Sequence, residues 1–264
     1  MRSGRIVAVA LVGALVLGGC SHRDRDRTSL REPDNASRLH IAETASAAGQ
    51  SDIALSMYAA AAAAAPDDAE VQARLVNALI TAGKPDVADA TLKAALVRQP
   101  NDPTLLRWLG NLRLQTGNAE AALQIFDGLI ARRPTDVAAL NGRGVALDLL
   151  GQHDVAQQTY LNARAQQPGN LQTANNLAVS LLLVERPSQA ASVLQPFSAQ
   201  SGLPTRLVNN LAIARAAAGQ SPTGDGDATM PAEDLRALAA SFGASPGQQQ
   251  GVSPLEGRNG KPAG

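Results

Sequence analysis

The feature of this sequence that most constrains its fold is an interval of 34 residues that recurs through most of the chain. Prolines recur at this interval, and glycines recur on the same register between them. The prolines are Pro66, Pro100, Pro134 and Pro168, and the glycines are Gly49, Gly83, Gly117, Gly151 and Gly219. Self-similarity at such an interval indicates an array of stacked small units, in which each unit contacts only its neighbours.

Each repeated residue type has a local role that predicts two helices per repeat. The glycine suits a helix that ends in a left-handed residue, and the proline closes the second helix. An acid lies just after the glycine, where negative charge favours the start of a helix: Asp52, Asp86, Glu120 and Asp154. A capping side chain follows the proline: Asp68, Asp102, Asp136 and Asn170. Alanines mark close helix contacts: Ala54, Ala88, Ala122, Ala156 and Ala190.

This pattern resembles the tetratricopeptide repeat. The large residue of the second helix recurs as Tyr58, Leu92, Phe126, Tyr160 and Leu194, and a small residue of the first helix as Ala42, Gly110, Gly144, Ala178 and Ala212. Five full repeats begin near Asn35, Ala69, Pro103, Val137 and Leu171, and a sixth first helix covers residues 205–218. The resemblance implies an all-α, right-handed tetratricopeptide-repeat superhelix over residues 35–219. The low aromatic content, 2%, agrees with helices packed through small side chains.

The fifth repeat departs from the pattern at two positions. Glu185 stands where the other repeats have glycine, and Gly202 stands where they have proline. A left-handed conformation costs a residue other than glycine about 1 kcal/mol or more. We therefore expect the turn at Glu185 to take another shape.

The amino terminus predicts a signal peptide over residues 1–19. Arg2 and Arg5 precede the apolar run 6–17, which is too short to cross a bilayer. The following Leu17-Gly18-Gly19-Cys20 resembles a bacterial lipoprotein box. That resemblance implies lipidation of Cys20 and, because serine follows it, anchoring in the outer membrane facing the periplasm. The alternative is an ordinary signal peptide that contains a cysteine. Residues 20–34 are charged and of mixed sign, and they predict a flexible tether.

The chain after Gly219 predicts a loop and a capping helix within residues 220–243, followed by a disordered tail over 244–264. Pro231 suits the start of the helix and Gly243 its end. Leu235, Leu238 and Phe242 share one face, which we expect to cover the last helix of the array, since terminal repeats need a cap. The alternative is a detached peptide that docks on a partner.

First helices line the concave face in tetratricopeptide arrays, and the register predicts a peptide-binding groove there. The predicted groove residues are Asn77, Arg107, Asn111, Asn141, Val145, Asn175, Val179, Asn209 and Ile213. An asparagine side chain both donates and accepts, so a row of them can pair with the backbone of an extended peptide whatever its sequence. The second amides of two Asn-Asn pairs, Asn176 and Asn210, are expected to turn into the stack and bond loop carbonyls. The alternative is that the asparagines only bridge neighbouring repeats.

Other chemistries have little support in the sequence. Basic and acidic residues number 23 each, which gives no overall field for nucleic acid. No metal-ligand spacing, phosphate-binding glycine loop or nucleophile elbow occurs. His153 is expected to be a solvent-exposed turn residue. Arg107 with Asn111 resembles only part of a carboxylate clamp, because further basic residues are missing. We predict a non-enzyme without cofactor, metal or small-molecule substrate that binds a protein.

The lipoprotein box, the short tether and the repeats together resemble the TadD family of tight-adherence (Flp) pilus assembly lipoproteins. The phrases NNLAVSLLLVERPSQAASVLQP and RLVNNLAIARAAAGQ look like the last repeats of that family. The resemblance implies a pilotin-like factor that helps a secretin assemble in the outer membrane. Two alternatives remain: an accessory of outer-membrane protein or type IV pilus assembly, and an adaptor that recruits cell-wall hydrolases.

Overall fold

The computed structural model describes residues 33–220 and residue 234. The predicted signal peptide, Cys20, nearly all of the tether and the tail after residue 243 lie outside the described residues. So does the predicted capping helix apart from Asp234.

Residues 33–220 form helices and no strand. The helices are α1 (Asn35–Ala47), α2 (Ser51–Ala64), α3 (Ala69–Thr81), α4 (Pro85–Arg98), α5 (Pro103–Gln115), α6 (Ala119–Arg132), α7 (Val137–Leu149), α8 (His153–Gln166), α9 (Leu171–Leu183), α10 (Pro187–Leu194) and α11 (Thr205–Ala217), with a 3₁₀ turn at Gln195–Phe197. The five predicted repeat starts coincide with the first residues of α1, α3, α5, α7 and α9.

The helices stack in the order of the chain. Each helix packs on the next one, and the first helices of successive repeats also contact each other along the series α3, α5, α7, α9 and α11. The predicted all-α tetratricopeptide-repeat superhelix is confirmed. This arrangement places the first helices side by side, so residues 34 positions apart in sequence become neighbours in space.

The predicted helix caps form at the expected residues. The Asp102 carboxylate accepts from the backbone N–H of Leu105 at 2.9 Å, and the Asn170 amide oxygen accepts from that of Thr173 at 2.9 Å. Asp68 and Asp136 cap α3 and α7 in the same way. Each cap satisfies a backbone donor that the first turn of a helix cannot pair internally. Helix α11 differs, because Pro204 precedes it and provides no side-chain cap.

The expectation of another turn shape at Glu185 is wrong. Glu185 takes the left-handed conformation, with φ at 57°, and Gly151 in the preceding repeat has φ at 73°. The hydrogen bonds also match: the Arg186 N–H donates to the Leu181 carbonyl at 2.9 Å, as the Gln152 N–H donates to that of Leu147 at 2.9 Å. The packing of α10 on α9 therefore outweighs the backbone strain at Glu185, about 1–2 kcal/mol.

The second helix of the fifth repeat is short. It ends at Leu194, whereas the second helices of the other repeats have 14 residues. Pro196 explains this end, since it has no N–H to donate to the carbonyl four residues earlier. The chain continues as a 3₁₀ turn that buries Phe197, and Gly202 then takes a left-handed φ of 72°.

Large and small residues are matched inside the third, fourth and fifth repeats. A Cβ added at Gly144 would lie 2.3 Å from Cε1 of Tyr160, and one added at Gly110 would lie 2.7 Å from Cζ of Phe126. Both rings are fully buried. In the fifth repeat the same two positions carry Ala178 and the smaller Leu194, both with 0% exposure. The volume at one position therefore compensates the volume at the other.

Candidate functional site

The predicted groove residues form two rows across the first helices. The first row is Arg107, Asn141, Asn175 and Asn209, and the second row, four residues later in each helix, is Asn77, Asn111, Val145, Val179 and Ile213. Their exposure differs sharply. Asn77 and Asn111 are exposed; Arg107, Val145, Val179 and Asn209 are half-buried; and Asn141, Asn175 and Ile213 are buried, at 7%, 7% and 6%. That these residues bind a peptide stays a prediction. The exposed residues are accessible to a peptide, whereas the buried ones are not.

The doubled asparagines form bridges between repeats. The Asn176 amide donates from Nδ2 to Oδ1 of Asn141 at 3.1 Å, and the Asn210 amide donates to Oδ1 of Asn175 at 2.8 Å. The second amides therefore bond side-chain oxygens of the preceding first helix, and not the loop carbonyls that we expected. The alternative role, bridging of repeats, is thus observed for these four asparagines. Burial strengthens it, since an unpaired amide oxygen in the stack would be costly.

Arg107 is held inside the stack. Its Nη1 lies 3.4 Å from Oδ2 of Asp136, and its Nη2 donates to Oγ1 of Thr104 at 3.2 Å. Asp136 is only 8% exposed, and its other oxygen caps α7. The guanidinium therefore bridges α5 to the cap of α7. This contact leaves little support for the partial resemblance to a carboxylate clamp.

Asn77 and Asn111 remain open to a partner. Neither side chain makes a hydrogen bond among the residues that the structure describes. They lie 34 residues apart on the neighbouring helices α3 and α5, which contact each other. Each amide can therefore both donate to and accept from an incoming backbone.

A small cleft adjoins Asn77, and sequence reasoning missed its other polar groups. The cleft holds about 60 Å³ and is lined by Asn77, Thr81 and Tyr58, with Ser46 and Ser51 from the first repeat. Burial raises the pKa of the Tyr58 hydroxyl, and the nearby Glu43 carboxylate adds to the rise. Glu43 itself pairs with Arg74 at the surface. The sequence feature that could have indicated this cleft is Tyr58, which occupies the large-residue position of the second helix but is not fully buried.

A polar cluster around Asp148 was also missed. The Ser180 hydroxyl donates to Oδ1 of Asp148 at 2.7 Å, the Tyr160 hydroxyl donates to Oδ2 at 3.0 Å, and Nδ1 of His153 lies 2.9 Å from Oδ1. His153 is thus the first residue of α8 and is half-buried, contrary to the expectation of a solvent-exposed turn residue. Ser180 has 0% exposure and contacts the carboxylate, not the imidazole, so this cluster holds α7, α8 and α9 together.

A second cleft lies at the loops between repeats. It holds about 640 Å³ and is lined by acidic side chains that include Asp67, Asp68, Glu70 and Asp102. Asp68 and Asp102 are engaged as helix caps, and Glu70 accepts from Thr104 at 3.1 Å. Within residues 33–220, no group of His, Cys, Asp and Glu has the arrangement of a metal site. In the same stretch no helix has the length and apolar character to cross a bilayer.

Comparisons with known proteins agree with this architecture. A family model described as "TPR_16: Tetratricopeptide repeat" matches residues 73–137. A tetratricopeptide repeat protein from Parabacteroides merdae superposes with a TM-score of 0.64 at 15% identity, over 82% of this chain and 87% of its own. The thermophilic TPR protein TTC0263 of Thermus thermophilus superposes with a TM-score of 0.56 at 20% identity, over 79% of this chain and 98% of its own. No curated protein matches the sequence. These likenesses show the tetratricopeptide-repeat fold.

Proposed function

We propose that this chain is a protein–protein interaction scaffold that binds an extended polypeptide segment along its first helices. One observation carries the proposal: Asn77 and Asn111 are exposed, lack hydrogen-bond partners among the described residues, and repeat at the interval of the array. The asparagines of the later repeats form hydrogen bonds with one another. The amides of Asn77 and Asn111 are instead available to a ligand. The tetratricopeptide fold supports binding over catalysis.

The described surface favours a segment with polar and apolar parts. Moving along the second row, the side chains change from the exposed amides Asn77 and Asn111 to the half-buried Val145 and Val179. A backbone in extended conformation can pair with the amides through its N–H and C=O groups. Aliphatic side chains further along the segment then contact the valines. This binding mode uses main-chain pairing for affinity and apolar contacts for selectivity.

The partner that we propose is the secretin of a tight-adherence (Flp) pilus system, or another component of that assembly. The support comes from the sequence: the lipoprotein box at Cys20, the polar tether and the resemblance of the last repeats. In this proposal the acyl chains hold the scaffold on the periplasmic side of the outer membrane, since two or more chains anchor stably. The scaffold then acts as a pilotin-like factor near the site where the secretin inserts.

Site-specific photo-crosslinking in the intact envelope tests the binding surface. A photoreactive residue at Asn77 or Asn111 is expected to crosslink to the secretin, identified by mass spectrometry. The matched control is Val97 on the second helix α4, which is 80% exposed and lies away from both rows. Equal crosslinking from all three positions, or none to a pilus component, would contradict the proposal.

Fractionation tests the anchor. Cys20→Ala is expected to leave the chain soluble or retained as a precursor at the inner membrane, because no acyl chain can be attached. The control is Ser21→Ala, which keeps the cysteine. If Cys20→Ala still fractionates with the outer membrane, lipid anchoring at this residue is refuted, while the binding surface stays testable by crosslinking.

A further inference from the structure

A further cleft lies at the loop edge of the array, where the end of α6 meets the starts of α5 and α7. It holds about 220 Å³ and has two arginines in its lining, so we call it the arginine cleft. Its lining residues are Asn101, Pro103, Leu129, Arg132, Arg133 and Asp136. None of them belongs to the two rows of the first helices, so the arginine cleft is separate from the predicted groove.

The charged side chains of the arginine cleft differ in what they already bind. Asp136 caps α7 through Oδ1, and its Oδ2 lies 3.4 Å from Nη1 of Arg107. Arg132 donates from Nη2 to Oδ1 of Asn101 at 2.7 Å. The exposed side chain of Arg133 makes no hydrogen bond or ion pair among the residues that the structure describes. Its guanidinium therefore keeps its donors for a ligand, while the carboxylate of the cleft is already compensated.

The neighbouring repeats show that the stack does not need an arginine at this position. Gln99 and Gln167 occupy the position of Arg133 at the ends of α4 and α8, and those helices end in the same way. The second cleft, which lies at the same edge one repeat earlier, has four acidic residues and no basic residue in its lining. The charge of this edge thus changes from negative to positive between neighbouring repeats, although the backbone arrangement repeats.

We propose that the arginine cleft binds a carboxylate that a partner protein presents beside an aliphatic side chain. A guanidinium can donate two parallel hydrogen bonds to one carboxylate, and Arg133 has its donors available. The buried Leu129 and Pro103 provide apolar contact for the aliphatic group. The volume is below the roughly 300–1,000 Å³ of drug-sized pockets, so the cleft suits a single residue of a partner. The carboxylate belongs either to a chain end or to an acidic side chain.

This site goes beyond the proposed scaffold role, because it uses neither Asn77 nor Asn111. A partner that contacts both surfaces is held at two separate faces of the array. The two sites can also be tested separately, since the failure of one leaves the crosslinking or binding result of the other unchanged.

Amide NMR spectra of the full-length chain, titrated with N-acetyl-leucine, test the arginine cleft. This probe carries one carboxylate and one aliphatic side chain. We expect shifts within residues 129–136 and 101–105 and none within 65–70 of the acidic cleft. N-acetyl-leucinamide lacks the carboxylate and N-acetylglycine lacks the aliphatic group, and each is expected to bind at least about fivefold more weakly. Equal binding of either control probe, or shifts centred elsewhere, would overturn the proposal.

A further probe, N-acetyl-aspartyl-leucinamide, distinguishes the two sources of the carboxylate. It carries an acidic side chain beside leucine and has no free chain end. Binding as tight as that of N-acetyl-leucine supports recognition of an acidic side chain in a partner. Weaker binding, together with retained binding of N-acetyl-leucine, supports recognition of a chain end.

Substitution of Arg133 tests its role directly. Arg133→Gln introduces the residue that the neighbouring repeats carry, and it is expected to weaken binding of N-acetyl-leucine at least about tenfold while the rest of the spectrum is retained. The matched control is Arg206→Gln, which removes an exposed arginine of α11 outside the cleft and should leave binding unchanged. Unchanged binding in Arg133→Gln, or an equal loss in both variants, would refute the assignment.

Discussion

Replacing Gly144 by alanine tests the matching of large and small residues inside a repeat. The added Cβ would lie 2.3 Å from Cε1 and 2.6 Å from Cζ of Tyr160. The ring is 1% exposed and its hydroxyl is bonded to Asp148, so it has little room to move. Overpacking of this kind costs about 1–3 kcal/mol, and alanine recovers about 1 kcal/mol of helix propensity. The net loss expected is therefore up to about 2 kcal/mol.

Gly128→Ala is the matched control. Gly128 also lies inside a helix, but a Cβ there would meet no atom within 4 Å. Only the effect on helix propensity remains, and we expect the free energy of unfolding to rise by about 0.5–1 kcal/mol. The assay is urea unfolding followed by circular dichroism, in which Gly144→Ala should lower the midpoint and Gly128→Ala should raise it.

The double variant Gly144→Ala/Tyr160→Leu measures the interaction between the two positions. It reproduces the combination found at Ala178 and Leu194 in the next repeat. The double variant should be more stable than the sum of the two single changes predicts, by about 1–3 kcal/mol. Additive effects, or a raised midpoint for Gly144→Ala alone, would refute the volume matching.

Three further changes test separate parts of the structure. Asn176→Ala leaves the buried amide oxygen of Asn141 without its hydrogen bond and should lower the free energy of unfolding by about 1–3 kcal/mol. The control Asn111→Ala should change the free energy of unfolding by less than about 0.5 kcal/mol. Equal effects of the two changes would contradict the bridging role. Glu185→Gly relieves the left-handed strain and should raise the free energy of unfolding by up to about 1 kcal/mol, measured by urea titration; a loss would show that the Glu185 side chain stabilises the turn more than its backbone destabilises it. Burial, followed by the charge and the hydrogen bond of Asp148, raises the pKa of the Tyr160 hydroxyl. The contribution of Tyr160 to the free energy of unfolding is therefore complete below about pH 10, the pKa of tyrosine in the unfolded chain, and it is lost as the pH rises above that value. Tyr160→Phe should therefore show a shallower loss of stability between about pH 9 and 11 than the wild type, in midpoints measured across that range; parallel curves would assign the alkaline sensitivity to other groups.

The helix caps and the repeat boundaries could be predicted from the sequence alone, because the residues that determine them recur in every repeat. The caps at Asp102 and Asn170 need only a side chain that reaches two or three residues along the same stretch of backbone. The repeat starts and the positions of the small and large residues follow from the same register. Such features depend on neighbours in sequence, so a periodic sequence predicts them for every repeat.

Tertiary structure decided which of the repeated residues face a partner. Asn111 and Asn141 are the same residue type on neighbouring first helices, yet one is exposed and the other is 7% exposed. The two asparagines lie in different rows of the first helices, and Asn176 of the following repeat donates a hydrogen bond to the buried Asn141 across the stack. Glu185 is likewise held in a left-handed conformation by the helices that it connects. The sequence by itself determined the fold and its register, because these rest on local, repeated preferences. The three-dimensional packing decided the site, because burial and hydrogen bonding depend on which side chain lies opposite.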